Sequence, residues 1–157
     1  MSGGLALAAR VLHPGDVACV GRGERLETLL GSCIAVVLAD PARTVGAMCH
    51  VVHAADAPAA RPHDTAYADA ALACLQQLLV RRGITPRLCD AWVFGGGNMF
   101  PAQPVPRPVG DRNARRVLDL LSAIGVRAVQ VDVGGVAYRR LGWTVGPDAP
   151  HAVCVPV

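Results

Sequence analysis

The stretch Cys33-Ile34-Ala35-Val36-Val37-Leu38-Ala39 is an unbroken apolar run of strand length, and Asp40-Pro41-Ala42-Arg43 follows it at once. Pro suits the second position of a tight turn, so the chain is expected to reverse there and return as a second strand over 44–52. Working outward, residues 16–21 read as a short strand and 26–30 are ambiguous. Residues 67–82 read as a helix, with Ala68, Ala71, Leu72, Leu75, Leu78 and Leu79 on one face, Asp64 or Thr65 as the cap and Gly83 as the stop. Residues 89–94 form a buried strand ending at Gly95-Gly96-Gly97, and 111–124 form a second helix. Strands follow at 126–133, 137–145 and 152–155, the last expected to stop before Pro156. Residues 54–65 and the proline-rich 101–110 read as loops. Strands outnumber helices, and hairpins occur beside crossovers. The expected fold class is α+β: a mixed, sandwich-like β-sheet core with helices packed outside.

The bulk numbers narrow the function. The chain has 157 residues, 52% hydrophobic and 17% charged, with mean hydropathy +0.36, which fits one domain over 1–157 with a sizeable core. The net charge of +3 is scattered, with no arginine run longer than a pair, so no nucleic-acid partner is expected. No apolar stretch is long enough to span a bilayer, so no membrane insertion is expected. Residues 1–12 lack the pattern of a secretory signal. Six cysteines (Cys19, Cys33, Cys49, Cys74, Cys89 and Cys154) occur without a CxxC, which weakens zinc-ribbon and thioredoxin readings. The expectation is a reduced, cytoplasmic protein, without a cysteine pattern that marks a metal site. His53 falls on the opposite strand face from His50, which scatters a metal set built on Cys49, His50 and His53. Gly95-Gly96-Gly97-Asn98 has neither phosphate-loop spacing.

Chemistry is concentrated in the hairpin. If residues 40–43 are the whole turn, Ala39 faces Thr44 and Cys33 faces His50. Directly opposed residues share a face with Cβ atoms about 4.5–5.5 Å apart, so an imidazole can take the thiol proton. A one-residue slip would put Cys49 or Val51 there instead, and a buried cysteine beside a core histidine would show the same pattern. Gly31-Ser32 precede Cys33 at the mouth of its strand, where backbone N–H groups can receive a developing oxyanion.

Thr28-Leu29-Leu30-Gly31-Ser32-Cys33-Ile34-Ala35-Val36 resembles the signature of the CheD family of chemoreceptor glutamine deamidases. The resemblance continues, in the family's order, through Asp40-Pro41, Gly46-Ala47-Met48, His50 and Tyr67-Ala68-Asp69-Ala70-Ala71. It resumes at Phe94-Gly95-Gly96-Gly97-Asn98-Met99, at Val109-Gly110-Asp111-Arg112-Asn113, and at Asp132-Val133-Gly134-Gly135 with Arg139 or Arg140 after it. It implies hydrolysis of glutamine side chains on methyl-accepting chemoreceptors to glutamates that can then be methylated, with Cys33 as nucleophile, His50 as base and no cofactor. Family members often carry a Thr six residues before the Cys to orient the His. That position is Glu27 here and Thr28 lies one later, so the third group is Thr28 or Glu27. Gly31, Ser32, Gly96, Asn98 and Asn113 are the implied substrate-binding residues, although the two asparagines also suit turn-capping. The implied partners are the receptors' cytoplasmic helices and a CheC-type phosphatase, and the site should be an open groove that admits a helix face. Two other readings stand beside this one: a non-catalytic module that binds receptors or such a phosphatase, favoured by Glu27, and a thiol hydrolase acting on another protein amide.

Overall fold

A computed structural model describes residues 8–103 and 107–157. The middle of the loop expected over 101–110 and the start of the N-terminal stretch lie outside them. In chain order come β1 (Arg10–Leu12), β2 (Val17–Gly21), β3 (Arg25–Leu30), β4 (Ile34–Ala39), β5 (Val45–Val51), α1 (Ala68–Arg81), β6 (Asp90–Gly95), α2 (Val109–Ala123), β7 (Arg127–Val133), β8 (Ala137–Thr144) and β9 (His151–Pro156). The strands form two sheets, one ordered β1-β3-β8-β9 and the other β2-β5-β4-β6-β7.

The expected sandwich-like core is present, with both helices outside. Strand β4 explains the layering. Ile34, Val36 and Leu38 face the helices and pack with Leu72, Leu75, Leu79, Val117 and Leu121. Ala35, Val37 and Ala39 face the other sheet and pack with Leu26, Leu30, Leu141 and Trp143. All six β4 residues are buried, which is why the run carries no polar residue. The small β4 side chains on the inter-sheet side leave room for the bulk of Trp143, Trp92 and Phe94. Gly46, on the neighbouring strand, extends this rule: a Cβ there would overlap the Trp143 ring and Val145. Gly46→Ala is therefore expected to lower stability by about 1–3 kcal/mol, the usual range for overpacking a filled core. Urea unfolding checks this, with a fall in midpoint at unchanged slope as the expected result.

Several sequence expectations need correction. The hairpin register is β4–β5 with Ala39 facing Gly46, Ala35 facing His50 and Ile34 facing Val51. The expected Ala39–Thr44 pairing does not form, because Asp40 bonds its own turn. Its carboxylate accepts from the Thr44 and Val45 N–H groups at 2.8 and 2.9 Å and from the Thr44 hydroxyl at 2.6 Å. Thr44 is held in the loop, Arg43 takes a left-handed φ of 57°, and the register moves by two residues. A shift of two preserves which face each side chain occupies. Residues 26–30, ambiguous in sequence, lie in β3. Helix α1 starts at an uncapped Tyr67; Asp64 instead accepts from the Ala66 N–H, and Thr65 donates to the Gly15 carbonyl. Helix α2 begins inside the expected loop, because the Pro108 carbonyl accepts the Asp111 and Arg112 N–H groups. Strand β9 includes Pro156, which an edge strand tolerates.

Candidate active site

His50 is the penultimate residue of β5 and points between the sheets, only 2% exposed. Its backbone is pinned by the turn after β1: the His50 N–H donates to the Asp16 carbonyl, and the Gly15 N–H donates to the His50 carbonyl. Its ring meets Thr28 across the sheets, with His50 Nδ1 and Thr28 Oγ1 2.8 Å apart. The Thr28 hydroxyl also lies 2.8 Å from the Leu12 carbonyl. A hydroxyl has one hydrogen and a carbonyl can only accept, so that hydrogen goes to Leu12. His50 Nδ1 must then carry a hydrogen and donate to Thr28, which leaves Nε2 as a bare lone pair. Nε2 is buried and has no hydrogen-bond partner among the described residues. A buried basic nitrogen without a partner has a lone pair free to take a proton.

Cys33 sits one residue ahead of β4 and packs, half-buried, against the inter-sheet core that His50 also faces. With Ala35 opposite His50, Cys33 is its diagonal neighbour on the same face rather than its direct partner. Diagonal neighbours have Cβ atoms about 7 Å apart, and no hydrogen bond joins the Cys33 thiol to Nε2, which has no partner among the described residues. Burial pushes the Cys33 thiol above its ordinary range. Burial also pushes His50 down to about 4; Asp16 pulls it up and His13 adds to the lowering. The pair therefore rests as neutral thiol and neutral imidazole at physiological pH.

The depressed His50 value has a consequence for stability. Above an unfolded value of about 6.5 the ring is neutral in both states; below it the unfolded chain takes up a proton that the folded chain refuses. Stability should thus fall as pH drops from about 6.5 to about 4, by up to about 3 kcal/mol from this residue. Urea midpoints at pH 7 and pH 4.5 for wild type and His50→Gln check this, with a smaller acid loss expected in the variant.

The other residues singled out in the sequence surround Cys33. The Gly96 N–H donates to the Cys33 carbonyl at 2.9 Å, and the Gly97 N–H to the Gly31 carbonyl at 3.0 Å. A Cβ on Gly95 would overlap the Cys33 carbonyl, and Gly95 has a φ of 117°, so only glycine fits there. Asn113, buried in α2, donates through Nδ2 to the Ser32 and Val52 carbonyls, both at 3.1 Å, and ties down both strands where the hairpin opens. Asn98 Oδ1 accepts from the Phe100 N–H within its own turn. Glu27 does not reach His50; it pairs with Arg25 at 2.8 Å on the outer face of β3. Ser32 borders a small pocket of about 170 Å³ with Met99, Phe100 and Val109. A larger cleft of about 780 Å³ runs along the outer face of β3 and β8 and is lined by neither Cys33 nor His50.

A family model described as CheD chemotactic sensory transduction matches residues 53–146. The chain is 35% identical over 140 residues to a protein named "Probable chemoreceptor glutamine deamidase CheD" from Pseudomonas syringae pv. syringae (strain B728a), covering 87% of this chain and 79% of that one. The chain belongs to the CheD family. A further relative, "Probable chemoreceptor glutamine deamidase CheD 1" of Anaeromyxobacter dehalogenans (strain 2CP-C), is 33% identical over 147 residues, covering 94% of this chain and 85% of that one. CheD membership supports cysteine-dependent amidohydrolase chemistry. The CheD model match begins three residues after His50, so it rests on both helices and the glycine loops, independently of Cys33 and His50. What sequence reasoning missed is the Leu12 carbonyl that fixes the ring tautomer. A backbone acceptor leaves no mark in side-chain identity. No helix among the described residues is long and apolar enough to cross a membrane.

Proposed function

We propose that this chain hydrolyses glutamine side chains on the cytoplasmic helices of methyl-accepting chemoreceptors to glutamate and ammonia, through a thioester on Cys33. The observation that carries this reading is the bare, buried Nε2 of His50, held toward the inter-sheet space by the Thr28–Leu12 chain on the face that Cys33 shares. The Cys33 proton passes to Nε2 as sulfur attacks the amide carbon. The negative oxygen that results needs donors, and the Ser32 and Cys33 N–H groups donate to no backbone carbonyl among the described residues. As the intermediate collapses, Nε2 returns the proton to departing ammonia. Water then enters, gives a proton to Nε2 and attacks the thioester carbonyl; the acid leaves and the thiol is regenerated.

Thr28 acts as the orienting third group in this reading. It accepts from Nδ1–H, as a triad's third member does, but without charge. Glu27, the feature that favoured a non-catalytic module, then has no part in the site, since Thr28 makes the contact and Glu27 lies outward. A receptor helix and a CheC-type phosphatase are the proposed partners. The test is mass spectrometry with ammonia measurement on a purified chemoreceptor cytoplasmic fragment. Each converted glutamine should gain about one dalton, the amide-to-acid change of the thioester route, with one ammonia released. A receptor fragment that binds the protein yet keeps its mass, with no ammonia formed, would overturn the proposal in favour of a binding module.

A further inference from the structure

Arg139 is the most unusual side chain outside the site. It belongs to β8, faces the inter-sheet space opposite Leu30, and is only 4% exposed. Its guanidinium makes two contacts through Nη2, at 3.2 Å to Asp132 Oδ1 and 2.9 Å to the Gly134 carbonyl. Nε and Nη1 are buried with no partner among the described residues. Such a group is a poor way to stabilise a core. A well-packed apolar side chain of similar volume is commonly as stable or more so than a buried ion pair, and unpaired N–H groups add a further penalty.

What the guanidinium holds is a turn, and that turn leads to Cys33. The Gly134 N–H donates to the Gly95 carbonyl at 2.9 Å, and the Asn98 N–H donates to the Gly135 carbonyl at 2.8 Å. The loop between Gly95 and Asn98 thus hangs from the Gly134-Gly135 turn at both ends. From the middle of that loop the Gly96 and Gly97 N–H groups reach the Cys33 and Gly31 carbonyls. Gly97 also abuts the Ala137 carbonyl so closely that a Cβ would overlap it, which leaves the loop no alternative seat on that side.

We infer that Arg139 is a positioning residue for the reaction, acting through the Gly134-Gly135 turn and the glycine loop to fix the backbone of the Cys33 turn. The inference rests on Cys33 being the nucleophile. It explains why the chain keeps a poorly satisfied charge between its sheets: the bonds it does make lie on the path to the reacting sulfur. Asp132, more exposed, pairs with the same Nη2 that holds the turn.

The test compares wild type, Arg139→Met, Arg139→Lys and Cys33→Ala for thermal stability, for ammonia release from a receptor fragment, and for iodoacetamide alkylation of the Cys33 peptide. Arg139→Met should melt at or above the wild-type temperature, while kcat falls about tenfold to a hundredfold, as small misplacements of reacting groups do. KM should change little, because the substrate surface is untouched. Alkylation of Cys33 should change rate, and Arg139→Lys should recover part of kcat, since an ammonium can still meet the Gly134 carbonyl. Wild-type kcat in a folded Arg139→Met would overturn the inference. So would a loss of activity that tracks a loss of melting temperature, or Arg139→Lys no better than Met. Ammonia release surviving in Cys33→Ala would instead overturn the assignment of the nucleophile on which the inference rests.

Discussion

Cys33→Ala is expected to reduce ammonia release from a receptor fragment to the uncatalysed background while leaving the fold and receptor binding intact. The buried thiols of Cys49 and Cys89 cannot substitute. Cys49 lies on the helix-facing side of β5 with its thiol pushed up to about 12 by burial, and Cys89 is pushed up to about 11 against Thr85 at the far end of the β4–β6 ladder. Removing Sγ costs little in packing, since Cys33 is only half-buried, so the loss should be chemical and not structural. Cys33→Ser should be nearly as inactive, because a hydroxyl is a far weaker nucleophile beside a base of such low proton affinity. Circular dichroism and binding to the same fragment provide the control. Turnover by a folded Cys33→Ala near the wild-type rate would remove the thioester from the mechanism.

His50→Gln should lower kcat by about a hundredfold to ten-thousandfold, the range for deleting a general acid–base group. The contribution is large here because both partners rest neutral: burial raises the thiol and lowers the imidazole, so attack and proton transfer must happen together. With glutamine in place, the thiolate must come from bulk base. The rate of the variant should therefore climb with pH through the thiol's raised range, while the wild-type rate is flat from near neutrality upward. KM should move much less than kcat, since the ring is only 2% exposed. A pH–rate profile for both proteins separates the cases, and parallel profiles would deny His50 the role of base.

The sequence was legible where a residue's neighbours along the chain determine its fate. The apolar β4 run, the turn at Pro41, the α1 stripe and the Gly83 stop all depend on local pattern, and all appear in the structure. The hairpin register did not, because it turned on one side chain: Asp40 bonds Thr44 and Val45 and lengthens the loop. The face was nevertheless right, since an even slip preserves it, and so Cys33 and His50 lie on one face as diagonal neighbours rather than opposite each other. The choice between Thr28 and Glu27 was open in sequence. Alternation along β3 decides which one points inward, and the burial pattern places Thr28 inside. The contacts of Asn113 and Arg139 are not readable from sequence, where Asn113 reads as a substrate-binding or turn-capping residue. Asn113 acts on carbonyls 61 and 81 residues away, and the Arg139 chain runs through backbone groups that any residue would supply.

The hydrogen bonds behind His50 end on the Leu12 carbonyl rather than on a carboxylate. A cysteine hydrolase with a charged third group keeps its sulfur ionised between turnovers, and ionised sulfur is what peroxides and electrophiles consume. Here the carboxylate that raises the ring's proton affinity is Asp16, and burial outweighs it. In the proposed mechanism the sulfur is ionised only while a substrate amide is in place to receive it. A hydrolase working by that mechanism would trade speed on small electrophiles for resistance to oxidation between turnovers.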